Sequence, residues 1–330
     1  MKRFFQAAIV LILIMFALSG CASDEEKFAE YIQKGNAYFQ KGEYKSAELE
    51  FKNAAQIDPK NVNVHNKLGE TYLKLGNAQG AFQAYSRVEE LDENHLDAKL
   101  KLATFYMLGR QNSKAQQRID AILAKEPDNI EALYLQAGIL VREKKGDEAE
   151  PIFKRIIQLD ANQARAYMGL SRMVAARGDL DQAEQYLVKA AEIDPKDPNP
   201  RLVLFNFYSR KQDFAKAEAV IEEAITANPN NFELYIQKGN YFLRRGQNDK
   251  AEKAFLTAIE KEPQNIRPYM VAAGYYDSIG SKDEVMPMYN RALEISPDDI
   301  RVMGTMARYH LKEREVEQAD GIINQILDDR

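Results

Sequence analysis

The chain has 330 residues, with 45 lysines and arginines against 50 aspartates and glutamates, which gives a net charge of −5. This balance lacks the clustered basic stripe that a nucleic-acid partner requires, so we expect no nucleic acid to bind. With one cysteine there is no disulfide framework, and the three histidines lack partners at metal-ligand spacing. We therefore expect no metal, no cofactor and no catalytic residue.

The first 20 residues combine a basic start with an apolar run from Phe4 to Leu18. The run is shorter than the about 20 apolar residues that a transmembrane helix needs, and it is typical of a secretory signal. The break at Leu18–Cys21 (L-S-G-C) resembles a bacterial lipobox, whose cysteine is acylated after cleavage. That resemblance implies a lipoprotein signal peptide at 1–20, with the lipidated Cys21 and a short tether at 21–27.

A lipobox also implies where the mature protein lies. A diacylglyceryl group and an N-acyl chain together anchor a protein stably in a membrane. No aspartate directly follows Cys21, which favours the outer membrane over the inner one, with the protein on the periplasmic face. The alternative is an uncleaved inner-membrane anchor with an incidental cysteine.

The rest of the chain repeats a pattern of 34 residues. In its first copy two helical stretches are separated by Gly42, and Pro59 stops the second. Alanine recurs at eight of nine positions in one series: Ala47, Ala81, Ala115, Ala149, Ala183, Ala217, Ala251, Val285 and Ala319. Small residues fill eight of nine in another: Gly35, Gly69, Ala103, Ala137, Ser171, Phe205, Gly239, Ala273 and Ala307. Antiparallel helix pairs that meet through small side chains are predicted.

A helix-turn-helix unit of this length resembles the tetratricopeptide repeat. The resemblance implies an all-α fold, a right-handed α-solenoid, over residues 28–330. Nine units are expected to start at residues 28, 62, 96, 130, 164, 198, 232, 266 and 300.

Two departures from the pattern carry expectations of their own. Pro151 and Pro287 are expected in the first turn of their helices, with Asp147 and Asp283 as N-caps. Phe205 places a large ring where the helices otherwise meet through small residues. We expect a locally rearranged packing point there, with the 34-residue register kept on both sides.

In this family the first helix of each unit lines a concave surface through its second, fifth, ninth, twelfth and thirteenth residues. Apolar fifth residues beside ninth-position asparagines suit a peptide or an amphipathic helix. The alternative is that the fifth residues pack on neighbouring helices. No unit has the fifth-position lysine of the carboxylate clamp. The predicted peptide-binding groove consists of Met168, Arg172, Leu202, Asn206, Ile236 and Asn240.

The last unit ends without a polar cap, so either the natural chain continues or another surface, such as a second copy, covers its apolar side chains. The sequence indicates a lipid-anchored periplasmic scaffold that binds proteins or peptides. It resembles the repeat lipoproteins of exopolysaccharide export and protein sorting. Pilus-assembly and peptidoglycan-hydrolase adaptors remain alternatives, and an enzyme would need a catalytic part outside this chain.

The lipid on Cys21 has a direct test. Metabolic labelling with a clickable palmitate is expected to tag the wild type and to leave Cys21→Ala untagged, because the chain has no other thiol. Equal labelling of the two proteins would contradict the lipobox interpretation.

Overall fold

The computed structural model describes residues 23–328, so the leader, Cys21 and the last two residues lie outside the described part of the chain. Between 23 and 328 the backbone is entirely α-helix and turn, and none of the helices is long and apolar enough to cross a membrane. It divides into an N-terminal body, to Ala161, and a C-terminal body, from Asn162. In each body the helices come in consecutive pairs, which we call the A helix and the B helix of a repeat.

The N-terminal body contains repeats 1–4. Its helices are α1 (Asp24–Gln40), α2 (Tyr44–Ile57), α3 (Val62–Lys74), α4 (Ala78–Leu91), α5 (Leu96–Leu108), α6 (Asn112–Lys125), α7 (Ile130–Arg142) and α8 (Gly146–Leu159).

The C-terminal body contains repeats 5–9. Its helices are α9 (Ala164–Ala176), α10 (Leu180–Ile193), α11 (Pro198–Lys211), α12 (Phe214–Ala227), α13 (Phe232–Arg244), α14 (Asn248–Lys261), α15 (Ile266–Ile279), α16 (Lys282–Ile295), α17 (Ile300–Lys312) and α18 (Val316–Asp328). The A helices of repeats 2–9 begin at the predicted unit starts, and this confirms the predicted all-α repeat fold.

The first helix begins earlier than the repeat pattern predicts. The Ser23 hydroxyl accepts a hydrogen bond from the backbone N–H of Glu26 at 3.1 Å, and the Glu26 carboxylate accepts one from the Ser23 N–H at 2.9 Å. This reciprocal capping box satisfies two helix-end donors. Residues 24–27, assigned above to the tether, therefore form the first turn of α1.

Every repeat makes the turn between its A and B helices through one left-handed residue. Five of these residues are glycines, for which a positive φ carries no steric cost: Gly42, Gly76, Gly178, Gly246 and Gly280. In the other repeats Arg110, Lys144, Gln212 and Arg314 adopt the same conformation, with φ between 57° and 68°. A side chain there costs about 1–2 kcal/mol, so the packing of the two helices must impose the turn.

That turn also corrects the expectation about the two prolines. Pro151 and Pro287 are the sixth residues of α8 and α16 and so lie beyond the first turn. Asp147 and Asp283 are second residues of these helices and not N-caps. The left-handed turn sets the start of each B helix at the same point of the repeat. The carboxylates still suit the positive end of the helix dipole.

The A and B helices of a repeat pack through the predicted small residues. All nine members of the series from Ala47 to Ala319 are 0% exposed. A Cβ placed on Gly35 would lie 2.6 Å from a ring carbon of Phe51, and one on Gly239 would lie 2.5 Å from Phe255. Only glycine leaves room for these rings, because a carbon at that distance would overlap them.

The ring over the small residue therefore comes from the B helix. Repeat 6 departs from this pattern on its A helix. Its A helix carries Phe205, which is 0% exposed, and its B helix carries Ile221 at the position of Phe51. The Phe205 ring meets Tyr241 of the next repeat edge-on at 5.3 Å between centroids. Helix starts on both sides keep the 34-residue register.

Successive repeats of the C-terminal body are also joined by hydrogen bonds between side chains. The Glu184 carboxylate of α10 accepts from Tyr208 Oη at 3.0 Å, Lys211 Nζ at 3.0 Å and Lys216 Nζ at 2.6 Å. The lysine hydrogen bonds, above all that of Lys216, lower the pKa of Glu184 to about 2. Burial, followed by the hydrogen bond to Glu184, raises the pKa of Tyr208 to about 12. A similar contact joins repeats 7 and 8, where the Glu252 carboxylate accepts a hydrogen bond from Tyr276 Oη at 2.9 Å.

The close approach at Gly239 predicts opposite effects for two glycine-to-alanine changes. Gly239→Ala should lower the free energy of unfolding by about 1–3 kcal/mol, because its methyl overlaps the Phe255 ring. Gly274→Ala, in α15 with open space around it, should raise that free energy by about 0.5–1 kcal/mol through helix propensity. Urea unfolding of the two variants tests this. Equal effects would mean that the ring contact does not constrain the repeat.

The carboxylate between repeats 5 and 6 predicts a pH-dependent stability. Since the folded pKa of Glu184 lies below its unfolded value, the stabilisation is present above about pH 4.5 and is lost as pH falls towards 2. Glu184→Gln should cost about 1–2 kcal/mol at pH 6 and progressively less below pH 4. The control is Glu192→Gln, an exposed carboxylate on the same helix. Urea titrations that give both variants the same pH profile would rule out this role for Glu184.

Candidate binding surface

The A helices of the C-terminal body share one side that is not covered by their B helices. On α9 the buried side chains include Ala166, Leu170 and Val174, while Arg172 on the opposite side is exposed. α9 contacts α11 directly, and α13 contacts α15, so neighbouring A helices lie side by side. We call the surface formed by the ninth and thirteenth residues of these helices the A-helix face.

The six predicted groove residues divide by burial. Arg172 and Asn206 are exposed and Asn240 is half-buried. Met168 and Leu202 are half-buried and pack against the hydrophobic core, and Ile236 is 3% exposed. The polar members thus lie on the A-helix face and the apolar members lie beneath it.

This burial corrects the expectation of an apolar row in the groove. Across residues 23–328, none of the nine fifth-position residues is exposed. Ile236 belongs to the core, and Leu202 is expected to contribute to stability as well as to any surface. Whether a ligand binds beside Arg172, Asn206 and Asn240 stays a prediction.

Sequence reasoning missed the thirteenth-position arginines. All nine thirteenth-position residues are exposed, and in repeats 6 and 7 they are Arg210 and Arg244. Each is followed by a second cation, Lys211 or Arg245, and these dipeptides are visible in the sequence. A scan of the thirteenth residues, and not only of the fifth and ninth, would have found them.

The two cations of each dipeptide have different surroundings. Lys211 Nζ lies 3.0 Å from the Glu184 carboxylate, and Arg245 Nη1 lies 2.5 Å from that of Glu218, so both are engaged by the preceding repeat. Arg245 also lies over the Phe214 ring at 4.1 Å from its centroid. Within the described residues, Arg210 and Arg244 make no ion pair, side-chain hydrogen bond or ring contact, and neither does Arg172. Their guanidinium groups are available to a ligand.

The N-terminal body has a different A-helix face. Its thirteenth residues include Leu108, which is 73% exposed, beside exposed Gln40, Lys74 and Arg142. Glu70 is held by Lys67 at 2.9 Å and by Asn66 at 3.2 Å. This surface therefore mixes apolar, polar and charged residues, and its one carboxylate is already paired.

The described residues contain no obvious site for chemistry. Between 23 and 328, no group of three or more His, Cys, Asp or Glu side chains could hold a metal ion. His310 Nδ1 lies 2.6 Å from the Glu315 carboxylate, so the imidazole is hydrogen-bonded within its own repeat. What the helices of the described residues do offer is an extended surface with side chains that can form hydrogen bonds to a ligand.

The fold and this surface define a helical-repeat protein built for interaction. The "TPR repeat" family profile matches residues 35–76. The "Tetratricopeptide repeat" profile matches 73–139, 140–204, 174–235 and 208–274. The chain belongs to the tetratricopeptide repeat family, whose fold is generally a non-catalytic scaffold for protein binding.

Solved structures agree on the fold. A tetratricopeptide repeat protein from Parabacteroides merdae is 22% identical with a TM-score of 0.61, over 74% of this chain and 97% of that one. The pilF protein of Pseudomonas aeruginosa is 18% identical with a TM-score of 0.51, over 66% and 100%. A human IFIT1 dimer with m7Gppp-AAAA is 15% identical with a TM-score of 0.53, over 83% and 72%.

At these identities the likeness shows the fold alone. No curated protein sequence matches the chain. What the structural neighbours bind therefore says nothing direct about this protein.

Proposed function

We propose that this protein is a lipid-anchored scaffold on the periplasmic side of a bacterial envelope, and that it binds partner proteins through the A-helix face. The observation that supports this binding surface is the row of exposed, unpaired polar groups at Arg172, Asn206, Arg210 and Arg244. Exposed side chains with unused hydrogen-bonding capacity, held on rigid helices, are what a specific interface needs.

The membrane anchor in this proposal rests on the lipobox at Leu18–Cys21. Since α1 begins at Asp24, only two residues separate the lipidated cysteine from the helix. The anchored chain would hold its first repeat near the bilayer. The outer membrane is favoured by the residues that follow Cys21.

The pathway that we propose is exopolysaccharide export or a related protein-sorting system. It rests on the resemblance to lipoproteins in which a lipobox is followed almost at once by the repeats. In such a system the protein would gather other envelope components and would not itself catalyse a reaction.

Self-association through the last repeat is a secondary part of the proposal. Ile323 of α18 is 36% exposed, whereas the corresponding residue of the other eight repeats is at most 7% exposed. Val316 and Leu327 of the same helix are 54% and 58% exposed. The first helix, α1, instead carries the exposed ion pair of Lys34 with Glu30 at 2.7 Å. These differences favour association of two copies through their last repeats over association of the last repeat of one copy with the first repeat of another.

The experiment that tests the scaffold is site-specific photo-crosslinking in cells. A photo-reactive residue in place of exposed Asn206 should capture defined partner proteins in the envelope. The same residue in place of Lys253, exposed on the B helix of repeat 7, should capture few or none. Capture from Lys253 and not from Asn206 would show that the A-helix face is not the binding surface.

A further inference from the structure

The helices of the C-terminal body are segregated by charge. Its A helices (α9, α11, α13, α15 and α17) carry 11 lysines and arginines against 2 carboxylates, Glu233 and Asp277. Its B helices carry 7 lysines and arginines against 15 carboxylates. In the N-terminal body the A helices carry 7 of each sign and the B helices 8 of each. The asymmetry belongs to the C-terminal body, in a chain whose net charge is −5.

Both carboxylates on these A helices are already paired. Glu233 lies 2.5 Å from Arg267, and Asp277 lies 2.5 Å from Lys312. Repeats 5–7 are left with three arginines without partners: Arg172, Arg210 and Arg244. A field of one sign raises the local concentration of an oppositely charged ligand and speeds its association.

Helix dipoles explain part of this pattern but not all of it. Arg210 and Arg244 lie in the last turns of α11 and α13, where a cation gains about 0.3–1 kcal/mol. Arg172 lies outside the last turn of α9. The dipole also gives no reason for α9 and α11 to lack carboxylates altogether.

We infer that the A-helix face of repeats 5–7 binds an extended acidic segment of a partner protein. The inference rests on the proposed function and specifies the chemistry of its partner. Guanidinium groups bind carboxylates through two parallel hydrogen bonds. Asn206 and Asn240, at the ninth positions beside the arginines, each offer an amide donor and an amide acceptor. That pair matches the C=O and N–H of an extended backbone.

Two other anionic ligands fit the surface less well. Single-stranded nucleic acid is bound by stacking its bases on exposed aromatic rings, and the aromatic side chains of α9, α11 and α13 are all buried or half-buried. A polyuronate offers carboxylates and hydroxyls, but it lacks the regularly spaced C=O and N–H groups of an extended backbone that the two asparagine amides match. An acidic protein segment would bind both the arginines, through its carboxylates, and the asparagines, through its backbone.

The size of the surface sets the length of the probe. Three packed helices at about 8–10 Å spacing span roughly 20 Å, and an extended chain rises about 3.3 Å per residue. A fluorescein-labelled peptide of about eight residues, with alternating glutamate and serine, therefore covers the three arginines. Its binding to the full chain in neutral detergent is measured by fluorescence anisotropy at low and at physiological salt.

The acidic peptide should bind the wild type, and its affinity should fall with salt because exposed charges are screened. Arg210→Ala/Arg244→Ala should weaken binding roughly tenfold or more. The matched control is Lys189→Ala/Lys253→Ala, which removes the same charge from exposed positions on B helices. It should change the affinity less than about twofold. Thermal melts of both variants should stay within a few degrees of the wild type, since Arg210 and Arg244 lose only a weak helix-dipole interaction and Lys189 only an exposed ion pair with Glu192.

A charge-reversed pair gives a second readout. Arg210→Glu/Arg244→Glu should lose the acidic peptide and gain a lysine–serine peptide of the same length. Equal losses in the A-helix and B-helix variants would overturn the inference, because net charge alone would then explain binding. Tighter, arginine-dependent binding of a polyuronate or of oligo-dT would overturn it in favour of that ligand. Crosslinking from Asn206 that persists without acidic-peptide binding would leave the scaffold intact and refute only the acidic partner.

Discussion

The structure depends on one recurring contact, in which a small residue of the A helix meets a large side chain of the B helix. At Gly35 and Gly239 this contact is so close that a single added carbon would overlap the ring. Protein interiors are packed so closely that one extra carbon displaces its neighbours. The size of this residue therefore sets how closely the two helices of a repeat approach. Repeat 6 keeps the 34-residue register although Phe205 replaces the small residue of its A helix.

Sequence periodicity predicted much of this. Spacing alone located the A helices of repeats 2–9 and the buried alanines, because each repeat must bury the same stripe against its own partner helix. It failed where the answer depends on a neighbouring repeat. The fifth residues, such as Ile236, looked like groove side chains until the next A helix was in place. Asp147 looked like an N-cap because its residue type suits a cap, but the left-handed turn at Lys144 starts the helix earlier.

The surface follows from the same packing. The fifth residues are not exposed, whereas the thirteenth residues of all repeats and several of the ninth residues face outward. In repeats 5–7 five of these six residues are arginines or asparagines and the sixth is Ala176, and the carboxylates of the body lie mainly on the B helices. Glu184 and Glu218 bind the neighbouring cations Lys211 and Arg245 and leave Arg210 and Arg244 unpaired. The contacts that join repeats thus also decide which charges are available to a partner.

The central claim is that a partner covers the A-helix face of the C-terminal body in the cell, and cysteine accessibility tests it most directly. If Cys21 carries the proposed lipid, Asn206→Cys and Lys253→Cys each introduce the only free thiol of the chain, since the sequence has no other cysteine. A maleimide should label both in purified protein. In intact envelopes it should label Lys253→Cys and spare Asn206→Cys. Equal labelling of the two in envelopes would contradict the account.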